Sequence, residues 1–321
     1  MELSIIIVNW NTKNYLRDCL ISIFENIKKV SFEVIVVDNK SSDGSAEMVR
    51  SEFPSVRLIA SDVNTGFARG NNIGYEISNG DYIAFLNPDT IVYPNTYETA
   101  VAYLITNPPV GAISCKFINP DGSFQREYYR RFPSLLTIFF CFTLFGVFID
   151  KHFLKGKYEC IYFYNDKNFD KIEKIDQPGA TFIVVPRVIL KKIGVFDEKF
   201  PIFFNDVDLC KRIWGAGYEI HFLHDITITH YGGKGVKQLG GAVHKHFFIG
   251  CYRYFRKYHG IAPAFLVSTL LLTNILPLIA VSVVNIISEY ISNVKEHGMI
   301  KTNKKAVRFV VKNIKSIKEK K

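Results

Sequence analysis

The chain has 321 residues, of which 48% are hydrophobic and 22% are charged, and it carries a formal net charge of +10. This length allows one large domain or two smaller ones, and the composition excludes wholesale disorder. The positive charge favours an anionic partner, such as phospholipid, a phosphorylated substrate or nucleic acid. Residues 295–321 contain ten Lys or Arg against two Glu. Because much of the excess lies in this tail and no nucleic-acid-binding motif is recognised, we expect no nucleic-acid partner.

The cysteines indicate a cytosolic compartment, and the N-terminus bears on whether a secretory signal is present. The six cysteines are scattered, and no two have the close spacing of a zinc or redox motif. This pattern predicts reduced, mostly buried thiols. The N-terminus opens directly into an apolar run, without the basic region, apolar stretch and cleavage site of a secretory signal. We therefore expect no cleaved signal.

The first part of the chain alternates between strand and helix patterns. Strands are predicted at 3–8, 32–37, 56–60 and 81–86, and helices at 15–27, 45–53 and 71–78. Such alternation predicts an α/β fold with a mostly parallel central sheet and helices on both faces. Ligands of such sheets bind at the carboxyl ends of the strands.

Three of these strands end in polar residues, namely Asn9-Trp10-Asn11, Asp38-Asn39 and Asn87-Pro88-Asp89. Because parallel strands bring their carboxyl ends to one edge, these residues are expected to form a site, the alternative being a set of unrelated turns. Asp89 follows a buried strand, so it can hold a cation against a phosphate group.

A segment rich in glycine and asparagine, residues 64–74, leads into the third predicted helix. It lacks the G-x-G-x-x-G pattern, which disfavours a nicotinamide enzyme. Asn64, Gly66 and Asn71 are candidates for binding a diphosphate, through backbone N–H groups and the helix N-terminus. The alternative is that the glycines serve only the backbone geometry.

A second acidic group, Asn205-Asp206-Val207-Asp208, follows two phenylalanines. Asn205 is predicted as an N-cap, with Asp206 and Asp208 in the first helical turn. Acids at that position stabilise the helix dipole, which is a sufficient structural reason for them. The preceding aromatics indicate partial burial at a pocket wall, where a carboxylate can act as a general base.

His230 ends an alternating, strand-like run at 226–229 and precedes a glycine-rich loop. A lone histidine is usually structural or merely exposed. His230, however, ends a strand as Asp89 does. Imidazole and carboxylate together are suitable ligands for Mn²⁺ or Mg²⁺.

Two apolar segments raise the question of a membrane. Residues 135–149 are too few for a comfortable span and predict either a core helix or an interfacial segment. Residues 261–288 contain no charged residue, and the basic tail follows them. Pro263 and Pro277 lie within this apolar segment and would kink a helix. A kinked re-entrant hairpin or an in-plane helix pair is expected there rather than a single span.

Taken together, these segments resemble the inverting glycosyltransferase family 2 of GT-A fold, and especially its rhamnosyltransferase-like branch. The matching pieces are 7–11, 36–39, 42–45, 64–74, 85–90, 179–180, 194–197 and 203–210. Single pieces are weak indicators, but the ordered set covers roughly seven tenths of the chain, from Ser4 to His230.

The resemblance implies roles for individual residues. Asp38 would contact the base or ribose of a nucleotide-sugar, Asp89 would bind the metal, and Asp206 would be the catalytic base. His230 would join the metal or diphosphate site. The remaining residues assigned to substrate binding are Asn11, Asn64, Gly66, Asn71, Asn87 and Asp208.

The sequence departs from the family pattern at two positions. Asn87 replaces the first acid of the DXD metal motif, which leaves less charge to bind a metal. Asn205 replaces the acid that usually precedes the base.

The resemblance therefore implies an enzyme that moves a sugar, possibly rhamnose, from a nucleotide donor with a divalent cation (Mn²⁺ or Mg²⁺). The apolar stretch and basic tail of the C-terminal region suit a membrane surface, which makes a polyprenyl-diphosphate-linked glycan the expected acceptor. Residues 1–258 would form the GT-A catalytic domain. Residues 259–321 would form an apolar helical membrane-associating region with a basic tail, at the cytoplasmic face of the cell membrane. The alternatives are a UDP-hexose or UDP-N-acetylhexosamine donor, or a catalytically silent sugar-nucleotide-binding scaffold in polysaccharide assembly.

Overall fold

A computed structural model describes residues 1–274 and residues 285, 287 and 288. The chain divides into two units, Met1–Leu271 and Leu272–Lys321, and nearly all described residues belong to the first. The domain boundary expected after residue 258 stays a prediction.

The described elements follow the strand and helix alternation expected for the first part of the chain. The strands are β1 Leu3–Asn9, β2 Phe32–Asp38, β3 Arg57–Ala60, β4 Tyr82–Leu86, β5 Thr90–Val92, β6 Val110–Ile118, β7 Tyr129–Arg130, β8 Glu173–Lys174, β9 Gln177–Pro178, β10 Phe182–Pro186 and β11 Glu219–His230. The helices are α1 Lys13–Asn26, α2 Ser45–Glu52, α3 Gly66–Ile77, α4 Thr96–Thr106, α5 Leu135–Phe142, α6 Leu144–Phe153, α7 Lys157–Tyr162, α8 Arg187–Ile193, α9 Asn205–Gly215, α10 Lys234–Lys237, α11 Ala242–His259 and α12 Ile261–Leu272.

Among the described residues, the central sheet has nine strands, eight of them in the order β3-β2-β1-β4-β10-β6-β11-β5, with β8 added to β11. Neighbours among β3, β2, β1 and β4 are parallel, as are β6 and β11, whereas β10 runs antiparallel between β4 and β6. Every residue of β1 is buried, as expected for a strand covered on both faces. The predicted α/β fold with a mostly parallel sheet is therefore confirmed.

Helix α3 begins at Gly66, five residues before the predicted start. Gly66 and Gly70, which were expected to lead into the helix, are part of it. A Cβ at Gly74 would lie 2.5 Å from Ile6 Cγ2, and one at Gly70 would lie 2.8 Å from Val8 Cγ1. The two glycines therefore let α3 pack directly on β1. At Gly70 and Gly74, this close packing of the helix on the strand is a sufficient reason for glycine.

A second, smaller core lies beside the sheet. It joins Ile138 of α5, Phe204 and Val207 at the start of α9, and the buried faces of α11 and α12. Because Val207 belongs to this core while Leu209, Cys210 and Ile213 belong to the core of the sheet, α9 bridges the two.

The segment at 135–149 forms two short helices rather than one core helix. In the described part of the chain, no single helix is long and apolar enough to cross a membrane. The pair α5 and α6, bent by 86°, meets the same criteria when taken together. Of the segment at 261–288, α12 is described, and Pro263 lies in its first turn, where a helix tolerates proline. Most of the remainder, including Pro277, lies outside the described residues, as does the basic tail.

The contact between α3 and β1 can be tested by adding a single methyl group. Gly74→Ala is expected to lower the free energy of unfolding by about 1–3 kcal/mol, because the new Cβ overlaps Ile6. Gly215→Ala is the matched control, since a Cβ there meets nothing within 4 Å and alanine favours the helix. Urea unfolding measures both variants, and equal stabilities would contradict the packing described.

Candidate active site

A cleft of about 370 Å³ opens at the carboxyl ends of β1 and β4. Its walls contain the two predicted acids, Asp89 and Asp206, together with His230. Of the other predicted residues, Asn64, Gly66 and Asn87 also line it. Residues far apart in the sequence therefore share one cavity, as the family resemblance implied.

Asp89 lies just after β4 and is buried, with a side chain that is 4% exposed. The backbone N–H of Lys234 donates to its Oδ2 at 3.0 Å, and His230 Nε2 lies 3.5 Å from its Oδ1. Burial alone would raise the pKa of Asp89, but His230 and the Lys234 N–H outweigh burial and lower the pKa below its ordinary value. The carboxylate is thereby kept ionised inside the protein.

His230 is held in one orientation by Gln125. The Gln125 amide nitrogen donates to Asn119 Oδ1 at 2.6 Å and to the His230 carbonyl at 2.8 Å. Its Oε1 must then accept, so His230 Nδ1 is the donor of the 2.8 Å bond between them. The Nε2 atom of His230 is buried, has no hydrogen-bond partner, and faces Asp89 Oδ1 at 3.5 Å.

This pair of atoms fits a divalent cation. A histidine ligand typically donates its other ring N–H to a fixed acceptor, as His230 does to Gln125. No group of three or more His, Cys, Asp or Glu able to hold a metal occurs among the described residues. Asp89 and His230 would thus supply two ligands, a number suited to a cation that keeps waters and binds substrate phosphates.

Asp206 lies in the first turn of α9, beside residues of the second core. Its carboxylate is 16% exposed, and Arg130 Nη2 lies 3.5 Å from Oδ2. The Nε of Arg130 is buried without a partner. Arg130 therefore places positive charge and an unused donor beside Asp206 in the cleft.

The start of α9 corrects one sequence prediction. Asn205 is the first helical residue, and the preceding Phe204 takes the cap position with φ at +66°. This left-handed backbone is costly for an aromatic residue. The ring is held between Phe247 and Tyr254, and Gly250 leaves room for it, since a Cβ there would lie 2.7 Å from Phe204 Cδ2.

The amides at the start of α3 already have protein acceptors. Gly66 N–H donates to Asn64 Oδ1 at 2.9 Å, and the N–H groups of Phe67 and Ala68 donate to the Pro201 carbonyl. The sequence predicted that this helix start binds a diphosphate, but none of these three N–H donors is free to do so. Asn64 and Gly66 remain on the cleft wall.

Three other predicted residues do not line the cleft. Asp38 is buried and accepts from Asn9 Nδ2 at 2.8 Å and from Ser41 N–H at 2.9 Å. Asn11 accepts from Ser42 N–H at 2.7 Å, and Asn71 bonds within α3 to the Phe67 carbonyl. The pairing of Asn9 with Asp38 does confirm that the polar ends of β1 and β2 meet.

Asp208, also predicted to bind substrate, is fully buried in a charge network. Its carboxylate contacts Arg212 Nε at 2.8 Å, Lys257 Nζ at 2.6 Å and the Tyr258 hydroxyl at 2.7 Å. Burial and then the bond to Asp208 raise the pKa of Tyr258, which therefore donates. These contacts join α9 to α11 and give Asp208 a structural explanation.

Sequence reasoning missed several cleft residues. Tyr128 contacts the His230 ring edge-to-face at a centroid distance of 4.9 Å, and burial raises its pKa to about 12. Tyr128 belongs to a one-turn 3-10 helix and Arg130 to a two-residue strand, so neither lies in a recognisable sequence motif. Lys234 offered a signal, since it interrupts the glycine-rich loop after His230.

The network around Asp208 leads to a prediction that separates structural from substrate-binding roles. Asp208→Asn is expected to lower the free energy of unfolding by about 2 kcal/mol or more, because Arg212 and Lys257 lose their charged partner. Donor affinity in the folded variant should stay within about twofold, since the side chain does not line the cleft. Chemical unfolding and calorimetric titration measure the two quantities. A large loss of affinity with unchanged stability would contradict this explanation.

Comparisons with known proteins agree with this architecture. The model of the glycosyl transferase family 2 matches residues 4–190, more than half of the chain. The rhamnosyltransferase WbbL of Escherichia coli K12 is 26% identical over 234 residues, which cover 71% of this chain and 82% of that protein. The N-acetylglucosaminyl-diphospho-decaprenol L-rhamnosyltransferase of Mycobacterium tuberculosis is 24% identical over 62% of this chain and 66% of its own length.

A solved structure shows the same fold. The mannosyltransferase PcManGT of Pyrobaculum calidifontis, in complex with GDP-Man and Mn²⁺, matches 97% of this chain and 84% of its own with a TM-score of 0.55 and 16% identity. The predicted GT-A-like fold is thereby confirmed. The chain belongs to glycosyl transferase family 2 and is a glycosyltransferase.

Proposed function

We propose that this glycosyltransferase is an inverting enzyme that transfers a sugar from a nucleotide-diphosphate donor to a lipid-linked glycan at the cytoplasmic face of the cell membrane. Rhamnose is the first candidate for the sugar. The observation that carries the proposal is the cleft shared by Asp89, His230 and Asp206.

Asp206 is the proposed general base. The acceptor hydroxyl attacks the anomeric carbon, its proton passes to the Asp206 carboxylate, and the bond from that carbon to the diphosphate oxygen breaks. A single base facing the leaving group across the sugar gives inversion. Arg130, 3.5 Å from Asp206, orients the carboxylate through a charged contact.

Asp89 and His230 are the proposed holders of a divalent cation on the donor side. When bound, the cation would offset the charge that develops on the leaving diphosphate. The Lys234 N–H and Gln125 keep the carboxylate and the imidazole in place, so neither ligand needs to reorganise.

The choice of donor and acceptor is supported by the relatives. Two of them are named as rhamnosyltransferases, and the name of the mycobacterial protein specifies a decaprenol-linked acceptor. A UDP-linked hexose or N-acetylhexosamine remains the alternative donor, because the structure of Staphylococcus aureus TarS was solved with UDP-GlcNAc. A thermal-shift screen of nucleotide-sugars with Mn²⁺ and with Mg²⁺ distinguishes these donors.

The role of Asp206 is tested by removing its charge. Asp206→Asn is expected to lower transfer by at least about 10²-fold, because no carboxylate remains to accept the proton, while donor affinity stays unchanged. Transfer is measured with a lipid-linked acceptor and donor binding by calorimetry. Asp170→Asn, at an exposed position, is the matched control.

Turnover near the wild-type rate in Asp206→Asn would refute the assignment. Binding without turnover in the wild-type protein would favour a scaffold.

The metal site is tested by truncating its carboxylate. With Asp89→Ala, Mn²⁺ is expected to give no gain in donor affinity, because the charged ligand is lost. The affinity in EDTA should match that of the wild-type protein under the same condition. Donor titrations with and without Mn²⁺ measure both effects. An undiminished response to Mn²⁺ would place the cation elsewhere.

A further inference from the structure

Helices α5 and α6 (residues 135–153, below called the α5–α6 hairpin) expose an unusual amount of apolar surface. Of 18 exposed large apolar side chains among the described residues, six lie between residues 136 and 153. Phe145, Phe148 and Phe153 are 65%, 53% and 72% exposed. Exposed apolar residues that occur singly need no explanation, whereas a cluster of this kind marks an interaction surface.

The exposure belongs to a well-built element rather than to a loose loop. Ser134 and Thr137 form a capping box on α5, and the Thr143 hydroxyl caps α6 by accepting from Gly146 N–H at 3.0 Å. A Cβ at Gly146 would lie only 1.9 Å from the Phe139 carbonyl oxygen, so a glycine is needed for the 86° bend. The apolar side chains are therefore held outward by a defined backbone.

The distribution of these side chains favours a bilayer over a protein groove. On α6, Phe145, Val147, Phe148 and Phe153 are exposed, and at 100° per residue they span roughly two-thirds of the circumference. Gly146 and Asp150 form the narrow buried face. A protein partner covers one face of a helix, whereas an apolar solvent can surround most of it.

Positive charge adjoins this apolar surface. No charged residue occurs between Phe132 and Ile149, and Lys151, Lys155 and Lys157 are then all exposed. The acid in this stretch, Asp150, is buried and accepts from the backbone N–H groups of Tyr158 and Glu159. The combination of exposed aromatics with adjacent lysines matches an anionic lipid surface.

The hairpin is attached to the acceptor side of the cleft. Ile138 belongs to the same small core as Phe204, which precedes α9, and Val207, which lies in its first turn. Phe142 contacts Phe247 at a ring-centroid distance of 5.2 Å, and Phe247 contacts Phe204 at 5.6 Å. A surface inserted at the hairpin would therefore be connected through a few packed rings to the segment that carries Asp206.

We propose that the α5–α6 hairpin inserts into an anionic phospholipid bilayer and docks the cleft against the surface where a lipid-linked acceptor resides. The proposal rests on the proposed function for its choice of acceptor. It assigns membrane contact to residues within the catalytic unit, in addition to any contribution from the C-terminal region.

Insertion is tested directly with a tryptophan probe in the full chain. Phe148→Trp is mixed with vesicles of phosphatidylglycerol and phosphatidylethanolamine that carry brominated acyl chains. The variant should show more quenching than the wild-type protein, whose two native tryptophans provide the background. Val188→Trp, at an exposed apolar position on α8, is the matched control and should show no added quenching. Equal quenching for both probes would overturn the proposal, even if the protein bound the vesicles through its tail.

A charge substitution provides the second measurement. Phe145→Glu combined with Phe148→Glu should lower the vesicle partition coefficient by about tenfold or more, while Val188→Glu should not change it. Sedimentation velocity without vesicles should show the same oligomeric state for the wild-type protein, the double variant and Val188→Glu. A change of oligomeric state with unchanged partitioning would assign the surface to a second copy of the chain and overturn the proposal.

Transfer to a short-chain, water-soluble acceptor separates this proposal from the proposed function. The double variant should retain that activity while losing transfer to the same acceptor lipid in vesicles. Absence of soluble transfer in the wild-type protein, with the Phe148→Trp quenching intact, would count against the function alone. Normal soluble transfer without quenching would count against the docking surface alone.

Discussion

The pairing of β5 with the end of β11 is the constraint on which the site depends. Its register places His230 opposite Thr90, and the N–H of Tyr231 then donates to the Asp89 carbonyl at 2.9 Å. The chain turns back after His230, so that Lys234 N–H reaches the Asp89 carboxylate. A buried carboxylate without partners would be strongly unfavourable. Here strand pairing supplies the partners and positions the imidazole by the same backbone contacts.

The two sides of the cleft are supported by two different cores. Asp89 lies in the turn between β4 and β5 of the large sheet and His230 ends β11, whereas Asp206 lies in the first turn of α9, which packs in the smaller core. Because α9 contributes buried residues to both cores, it fixes Asp206 relative to Asp89 and His230. The strained backbone of Phe204 lies at this junction, held by aromatic rings from α11. Strain of this kind persists where surrounding packing over-determines it.

Much of the sheet edge that carries Asp89 could be predicted from the sequence, because strand periodicity and polar strand ends are local signals. Asn9, Asp38, Asn87 and Asp89 were expected at one edge of the sheet for this reason, and Asn9 and Asp38 indeed contact each other. The role of an individual carboxylate was harder to predict, since whether Asp208 on α9 faces the cleft or pairs with Arg212 depends on tertiary packing. The same holds for Gly70 and Gly74, which serve helix packing on β1. Arg130 and Gln125 carried no local signal, because irregular segments bring them to Asp206 and His230.

The central claim is that Asp89 and Asp206 act on the same sugar from opposite sides of one cleft. A crystal structure with Mn²⁺ and a non-transferable nucleotide-sugar analogue tests it most directly. The account predicts an anomalous Mn²⁺ peak at coordination distance from Asp89 and His230, with the anomeric carbon between the diphosphate and the Asp206 carboxylate. A manganese peak away from Asp89, or a sugar lodged out of reach of Asp206, would contradict it.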